Sequence, residues 1–163
     1  MGRILGPKRL AGEASPIRDR RPFNGHAHRG KTLAPLSDSQ LNLDMGKKIL
    51  FVEDDEHWRS IVTIALKEVG HEVLAAADAS QALTLTEGVS LGLIILDLDL
   101  NGESGLTLMK YLRHNQPGVP IILYTGMEHD DATVTAMLTQ GASQYLRKGS
   151  MELLVSAVRR SFR

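Results

Sequence analysis

From residue 48 onward, short apolar runs alternate with longer stretches whose apolar residues return every three or four positions. Such runs, bounded by turn formers, read as buried strands. They predict strands at about 48–53, Glu72–Ala76, Gly92–Leu96, Pro120–Tyr124 and Ser143–Arg147. The third run is apolar at successive positions, as suits a central parallel strand covered on both faces. The intervening stretches predict helices at about 56–69, from Asp78 or Ser80 to Glu87, from Ser104 to Asn115, from Asp130 or Asp131 to Gln140, and from Ser150 to the end. In the first, Trp58, Ile61, Val62, Ala65, Leu66 and Val69 form one apolar stripe. Met151, Leu154, Val155 and Val158 do the same in the last. Gly70, Gly88 and Gly141 stand just past three of these helices, where a chain reverses most easily. Five strand–helix units with short joints predict an α/β fold: a flavodoxin-like (βα)5 doubly wound parallel sheet with strand order 2-1-3-4-5.

Residues 1–44 lack either period and hold four of the six prolines and five of the fifteen glycines. They carry eight Lys/Arg against four Asp/Glu, whereas residues 45–163 carry eleven against fifteen. We expect 1–44 to be a disordered basic N-terminal extension, unable to bury enough surface to offset the entropy of ordering. The domain proper is expected at 45–163, and Met45 would make a natural start. The acidic balance of that domain argues against a bulk nucleic-acid surface. There is no cysteine, so no disulfide, thiolate metal site or cysteine nucleophile exists, in keeping with a cytoplasmic protein. No apolar run reaches the length of a membrane span.

Four polar signals follow the strands. Glu53-Asp54-Asp55 follows Ile49–Val52, Asp97 follows Leu93–Leu96, Thr125 follows Ile121–Tyr124, and Lys148 follows Tyr145–Arg147. The C-terminal strand ends of an open parallel sheet share one edge, where ligands bind. Adjacent carboxylates at Glu53 and Asp54 repel each other, and a hard divalent cation such as Mg2+ relieves that repulsion. Taken alone, they read equally as solvated acids at a helix start, and Asp55 reads as the helix N-cap. Asp97 interrupts the most apolar run. It reads either as a carboxylate nucleophile toward a phosphoryl group or as the first polar residue of a loop. Asp99 falls in that loop, where its main chain could ligate a metal. Thr125 and the N–H of Gly126 offer donors to a phosphoryl oxygen. Lys148 offers a mobile point charge for Asp97 or a phosphate.

On these residues the stretch Lys48–Arg163, about 116 of 163 residues, resembles the receiver domain of two-component response regulators. KILFVEDD is similar to the family's acidic first strand and carries its acidic pair onto Glu53 and Asp54. LIILDLDLNGESG is similar to its phosphoacceptor segment, giving Asp97, with Asp99 at the carbonyl-ligand position. IILYTG resembles the switch-threonine strand, giving Thr125, and GASQYLRK resembles the last strand, giving Tyr145 and Lys148. Two residues depart from the pattern: Asn101 and Gly149 stand where receivers usually carry proline. The second departure implies a more mobile loop, and retention of Gly102 implies that the first turn survives.

The resemblance implies a phosphoacceptor of a two-component or phosphorelay system. Asp97 would be phosphorylated by a histidine kinase or histidine phosphotransfer protein, with Thr125 and Lys148 assisting. Mg2+ would sit on Glu53, Asp54, Asp97 and the Asp99 carbonyl. Thr125 and Tyr145 would form the switch, and the face of the fourth helix, fifth strand and fifth helix would contact a downstream target protein. Such a domain assists its own phosphorylation and dephosphorylation without being an enzyme in the ordinary sense. We expect a stand-alone cytoplasmic receiver, monomeric or weakly dimeric, with no nucleic-acid or membrane partner. One rival is a haloacid-dehalogenase-like magnesium phosphatase, suggested by Asp97-Leu98-Asp99. It is disfavoured because the acidic pair precedes everything and none follows Lys148. The other is a receiver-like interaction module that is never phosphorylated. Trp58 reads as core packing ahead of a kinase-docking anchor, and His57, His71, His114 and His129 read as surface residues.

Overall fold

The computed structural model describes residues 48–163. The expectations for residues 1–44, and for a domain start at 45, fall outside the described residues. The element order is β1 (Lys48–Val52), α1 (Glu56–Glu68), β2 (Glu72–Ala76), α2 (Ala79–Thr86), β3 (Leu91–Leu96), β4 (Asp99–Leu100), β5 (Glu103–Ser104), α3 (Gly105–Asn115), β6 (Ile121–Thr125), α4 (Asp131–Thr139), β7 (Gln144–Arg147) and α5 (Met151–Ser161). The main sheet is parallel throughout and runs β2-β1-β3-β6-β7. Counting its five strands alone gives the expected order 2-1-3-4-5.

Side chains alternate across a strand, so each central strand feeds two cores. Leu50, Val52, Ile94, Leu96, Ile121 and Leu123 pack with Ala82, Leu108, Met109, Leu112 and Met137, the inner faces of α2, α3 and α4. Ile49, Phe51, Leu93, Ile95, Ile122 and Tyr124 pack with Val62, Leu66, Leu154, Ala157 and Val158, the inner faces of α1 and α5. This is the physical meaning of the uninterrupted apolar strands. With helices on both sides, neither face can be polar.

The helix starts follow local chemistry. The carboxylates of Asp55, Asp78 and Asp130 accept from the amides of Trp58, Gln81 and Thr133, each at 2.7 Å. The Ser150 hydroxyl accepts from the Leu153 amide at 3.2 Å. Ser104 occupies the cap position of α3 but its side chain makes no capping bond. It is instead the last residue of a hairpin absent from the sequence-based expectation, in which Asp99 pairs with Ser104 and Leu100 with Glu103. The hairpin turns on Asn101 and Gly102 at φ 53° and 89°. Two successive left-handed residues are what a tight two-residue hairpin demands, and Asn-Gly is its commonest solution. The turn therefore survives without proline, as expected.

Two histidines differ from the surface reading. His71 is half-buried and stacks on Phe162, centroids 5.0 Å apart, while His129 meets the ring of Tyr145 edge-on at 5.9 Å. Each lies beside an aromatic that is distant in sequence, so periodicity could not report it. His57 and His114 are exposed.

Ile95 is fully buried at the middle of the sheet. Ile95→Ala should lower unfolding stability by about 2–5 kcal/mol in urea titration. Ile64→Ala, on the exposed side of α1, should change it by less than about 0.5 kcal/mol. Equal effects at the two positions would contradict the two-faced core.

Candidate functional site

The backbone ladder brings the polar signals to one edge. Beyond the strand ends, Glu53 N–H donates to Ala76 O at 3.0 Å, Asp97 N–H to Val52 O at 3.0 Å, and Lys148 N–H to Thr125 O at 2.7 Å. The neighbours β1, β3, β6 and β7 thus deliver Glu53, Asp97, Thr125 and Lys148 together. Ligand oxygens of Glu53, Asp54 and Asp97 lie within 4.8 Å of one another. Glu53 is fully buried, Asp97 is 5% exposed and Thr125 is 1% exposed.

Lys148 is the cation of this cluster. Its Nζ lies 2.6 Å from Asp97 Oδ2, to which it donates a hydrogen bond, and 2.6 Å from Glu53 Oε2. The second contact is a close ion pair at hydrogen-bonding distance. Asp97 Oδ1 accepts from the Leu98 amide at 2.6 Å. Burial pushes the Glu53 carboxyl above its ordinary value. The bond and charge of Lys148 oppose that shift, Asp97 adds to it, and the Asp55 amide opposes it weakly. Burial alone would lower the pKa of Lys148, but the bonds and charges of Asp97 and Glu53 outweigh it and hold the ammonium above its ordinary value. Three carboxylates against one ammonium leave the pocket with surplus negative charge. The converging carboxylate oxygens of Glu53, Asp54 and Asp97 are the hard donors that a hard divalent cation takes, so the donor set fits Mg2+.

Asp99 is exposed, and its carboxylate is not among the three that converge. Its amide lies 3.4 Å from Asp97 Oδ1. Thr125 Oγ1 accepts from the Met127 amide at 3.2 Å, and the Tyr145 hydroxyl donates to the Met127 carbonyl at 2.8 Å. Tyr145 itself is half-buried against the α2–α4 core. Gly149 has φ 141°, an angle closed to the proline usual in receivers. Trp58 packs as core against Tyr124, ring centroids 6.3 Å apart.

Sequence reasoning missed four contributors. Arg59 Nη1 donates to the carbonyls of Glu53 at 2.7 Å and Asp54 at 3.0 Å. Met127 joins Thr125 to Tyr145 through its main chain, so its side-chain identity carries no signal. Tyr124 buries its hydroxyl beside the Gly149 backbone, and burial pushes its pKa up against that contact and the charge of Lys148. Gly105 opens α3 where an added Cβ would lie 2.1 Å from the Asp97 carbonyl oxygen and 2.8 Å from Leu98 Cα. A glycine immediately before a helical stripe was the one legible sign among the four.

Gly105→Ala must therefore displace the backbone of Asp97 itself. We expect a loss of roughly 1–3 kcal/mol in urea unfolding, as for other overpacked sites; an unchanged midpoint would refute the close approach. A second expectation concerns pH. With its folded pKa raised, Glu53 contributes stability that is complete below the ordinary value of 4.5 and is lost as pH rises through the folded value. In chelator, Glu53→Gln should thus be more stable than wild type at pH 7, and the gap should close as pH falls toward 4.5. Urea midpoints across that range measure it, and a gap that widens toward low pH would reverse the assignment.

Residues 49–159 match the family described as response regulator receiver domain. The DNA-binding response regulator MtrA of Mycolicibacterium smegmatis is 36% identical over 104 residues, 64% of this chain and 45% of that protein. The response regulator protein FleR of Pseudomonas aeruginosa is also 36% identical over 104 residues, 64% of this chain and 22% of that protein. The chain therefore spans less than half the length of these curated relatives. Among solved structures, the CheY-like receiver domain protein of Methanospirillum hungatei JF-1 superposes with TM-score 0.65 at 27% identity, over 71% of this chain and 93% of that one. Sequence and fold lead to the same family: the chain belongs to the response regulator receiver domains, which are signalling phosphoacceptors rather than classical enzymes.

Proposed function

We propose that Asp97 is the phosphoacceptor. One of its carboxylate oxygens attacks the phosphorus of a phosphohistidine or an acyl phosphate. The new P–O bond forms as the bond to the donor breaks, and the leaving imidazole or carboxylate keeps that bond's electron pair. The observation that carries this reading is the convergence of Glu53, Asp54 and Asp97 on one pocket, with Lys148 at 2.6 Å from two of them. Mg2+, held by Glu53, Asp54, Asp97 and the Asp99 carbonyl, would supply neutralising charge to the phosphoryl oxygens. Lys148 moves from the Asp97 carboxylate to a phosphoryl oxygen once that carboxylate is phosphorylated. Thr125 and the Gly126 amide offer further donors. The same groups would assist hydrolysis of the acyl phosphate.

Met127 supports the switch reading. Its N–H is bonded to Thr125 and its carbonyl to Tyr145. A Thr125 hydroxyl that turns to a phosphoryl oxygen must change its bond with Met127, which disturbs the Tyr145 anchor in turn. The face of α4, β7 and α5 then presents two states to a downstream protein. The domain is taken as residues 45–163, in the cytoplasm, monomeric or weakly dimeric, served by a histidine kinase or histidine phosphotransfer protein. Among the described residues no helix is long and apolar enough to cross a membrane. MtrA is DNA-binding by name, but most of its length lies outside the match. The acidic balance of residues 45–163 argues against this domain gripping nucleic acid directly.

Incubation with acetyl phosphate and Mg2+ should attach hydroxylamine-sensitive phosphate to the wild-type chain, detected by intact mass. Asp97→Asn should abolish the adduct, and Thr125→Ala should retain it. Undiminished labelling of Asp97→Asn would move the acceptor elsewhere.

A further inference from the structure

The loop between β1 and α1 carries two of the three converging carboxylates, yet its own side chains fix it only lightly. The Asp55 carboxylate is used in capping α1, and the Asp55 amide reaches Glu53 Oε1 at a long 3.3 Å. The strongest hold comes from Arg59, one turn into α1. Its backbone N–H is anchored to Asp55 O at 2.8 Å. Its half-buried guanidinium folds back so that Nη1 meets both the Glu53 and the Asp54 carbonyl oxygens. A charged donor on a neutral carbonyl is among the stronger hydrogen bonds in a protein.

Resting on the metal reading above, we infer that Arg59 is a positioning residue for the metal site, setting the backbone from which Glu53 and Asp54 present their carboxylates. The choice of partner is what makes it suited to this. A guanidinium bonded to the carboxylates themselves would occupy the oxygens a cation needs. The ion pairs at this cluster join Lys148 to Glu53 and Asp97 and leave Asp54 outside. Arg59 therefore orders the acidic residues while their carboxylate oxygens stay available. Outer partners of this kind act through ligand orientation, and their loss typically weakens metal affinity roughly tenfold to a hundredfold.

The test is calorimetric titration of Mg2+ into the full 163-residue chain. Wild type should bind, Arg59→Met should raise the Kd roughly tenfold or more, and Arg59→Lys, which keeps a charged donor, should recover part of the loss. Unchanged affinity in Arg59→Met overturns the inference and leaves the metal reading intact. A wild-type chain that does not bind Mg2+ overturns the metal reading itself. Should Arg59→Met fail to fold, NMR of the wild-type guanidinium decides the matter. Slow exchange of the Arg59 Nη1 protons and a shift on adding Mg2+ support the inference, whereas exchange at the free-solvent rate and no shift refute it.

Discussion

A half-buried ammonium between two buried carboxylates organises the functional end of this protein. Isolated, Glu53 and Asp97 would each be costly to keep charged away from water. Lys148 touches both, and it comes from the opposite side of β3 relative to Glu53. One cation cannot balance three acids, so the arrangement is stable enough to fold yet electrostatically incomplete. That incompleteness supports the proposed reading of the pocket as a divalent-ion and phosphoryl site. Burial holds the Glu53 carboxyl above its ordinary value despite the contact with Lys148, and the charge of Asp97 adds to that shift.

The sheet makes that arrangement possible by register. Parallel pairing aligns Val52 with Leu96 and Thr125 with Arg147, so residues one step beyond fall side by side. Two apolar layers hold the strands rigid, and the polar groups appear only where the layers end. The close approach of Gly105 to the Asp97 carbonyl shows how little slack remains there. In the loop after β6, the two ends of Met127 are bonded to Thr125 and Tyr145.

Much of this was legible before any coordinates. Strand and helix positions came from periodicity, because burial on one or both faces dictates the spacing of apolar residues. Caps at Asp55 and Ser150 came from local hydrogen-bonding chemistry within four residues, and the structure chose Asp78 over Ser80 and Asp130 over Asp131. The hairpin at Asn101-Gly102 was overlooked although its dipeptide is a strong turn signal, because two-residue strands show no periodicity. Ser104 takes the helix-start position read from the sequence, but its backbone also closes the hairpin and its hydroxyl caps nothing.

The sequence by itself determined the order of the five main strand–helix units, the fold class and the identity of the groups at the strand ends. Each of those depends on residues close together in the chain or on a pattern that many residues share. Only the tertiary structure decided which oxygens meet. Lys148 binds Asp97 through one oxygen, Arg59 serves carbonyls instead of carboxylates, and Asp99 keeps its carboxylate outside the cluster. Such outcomes turn on differences of an ångström between segments up to about a hundred residues apart, set by strand register and side-chain rotamers. No local pattern encodes a distance of that kind, because it is fixed only when both cores have closed around the sheet.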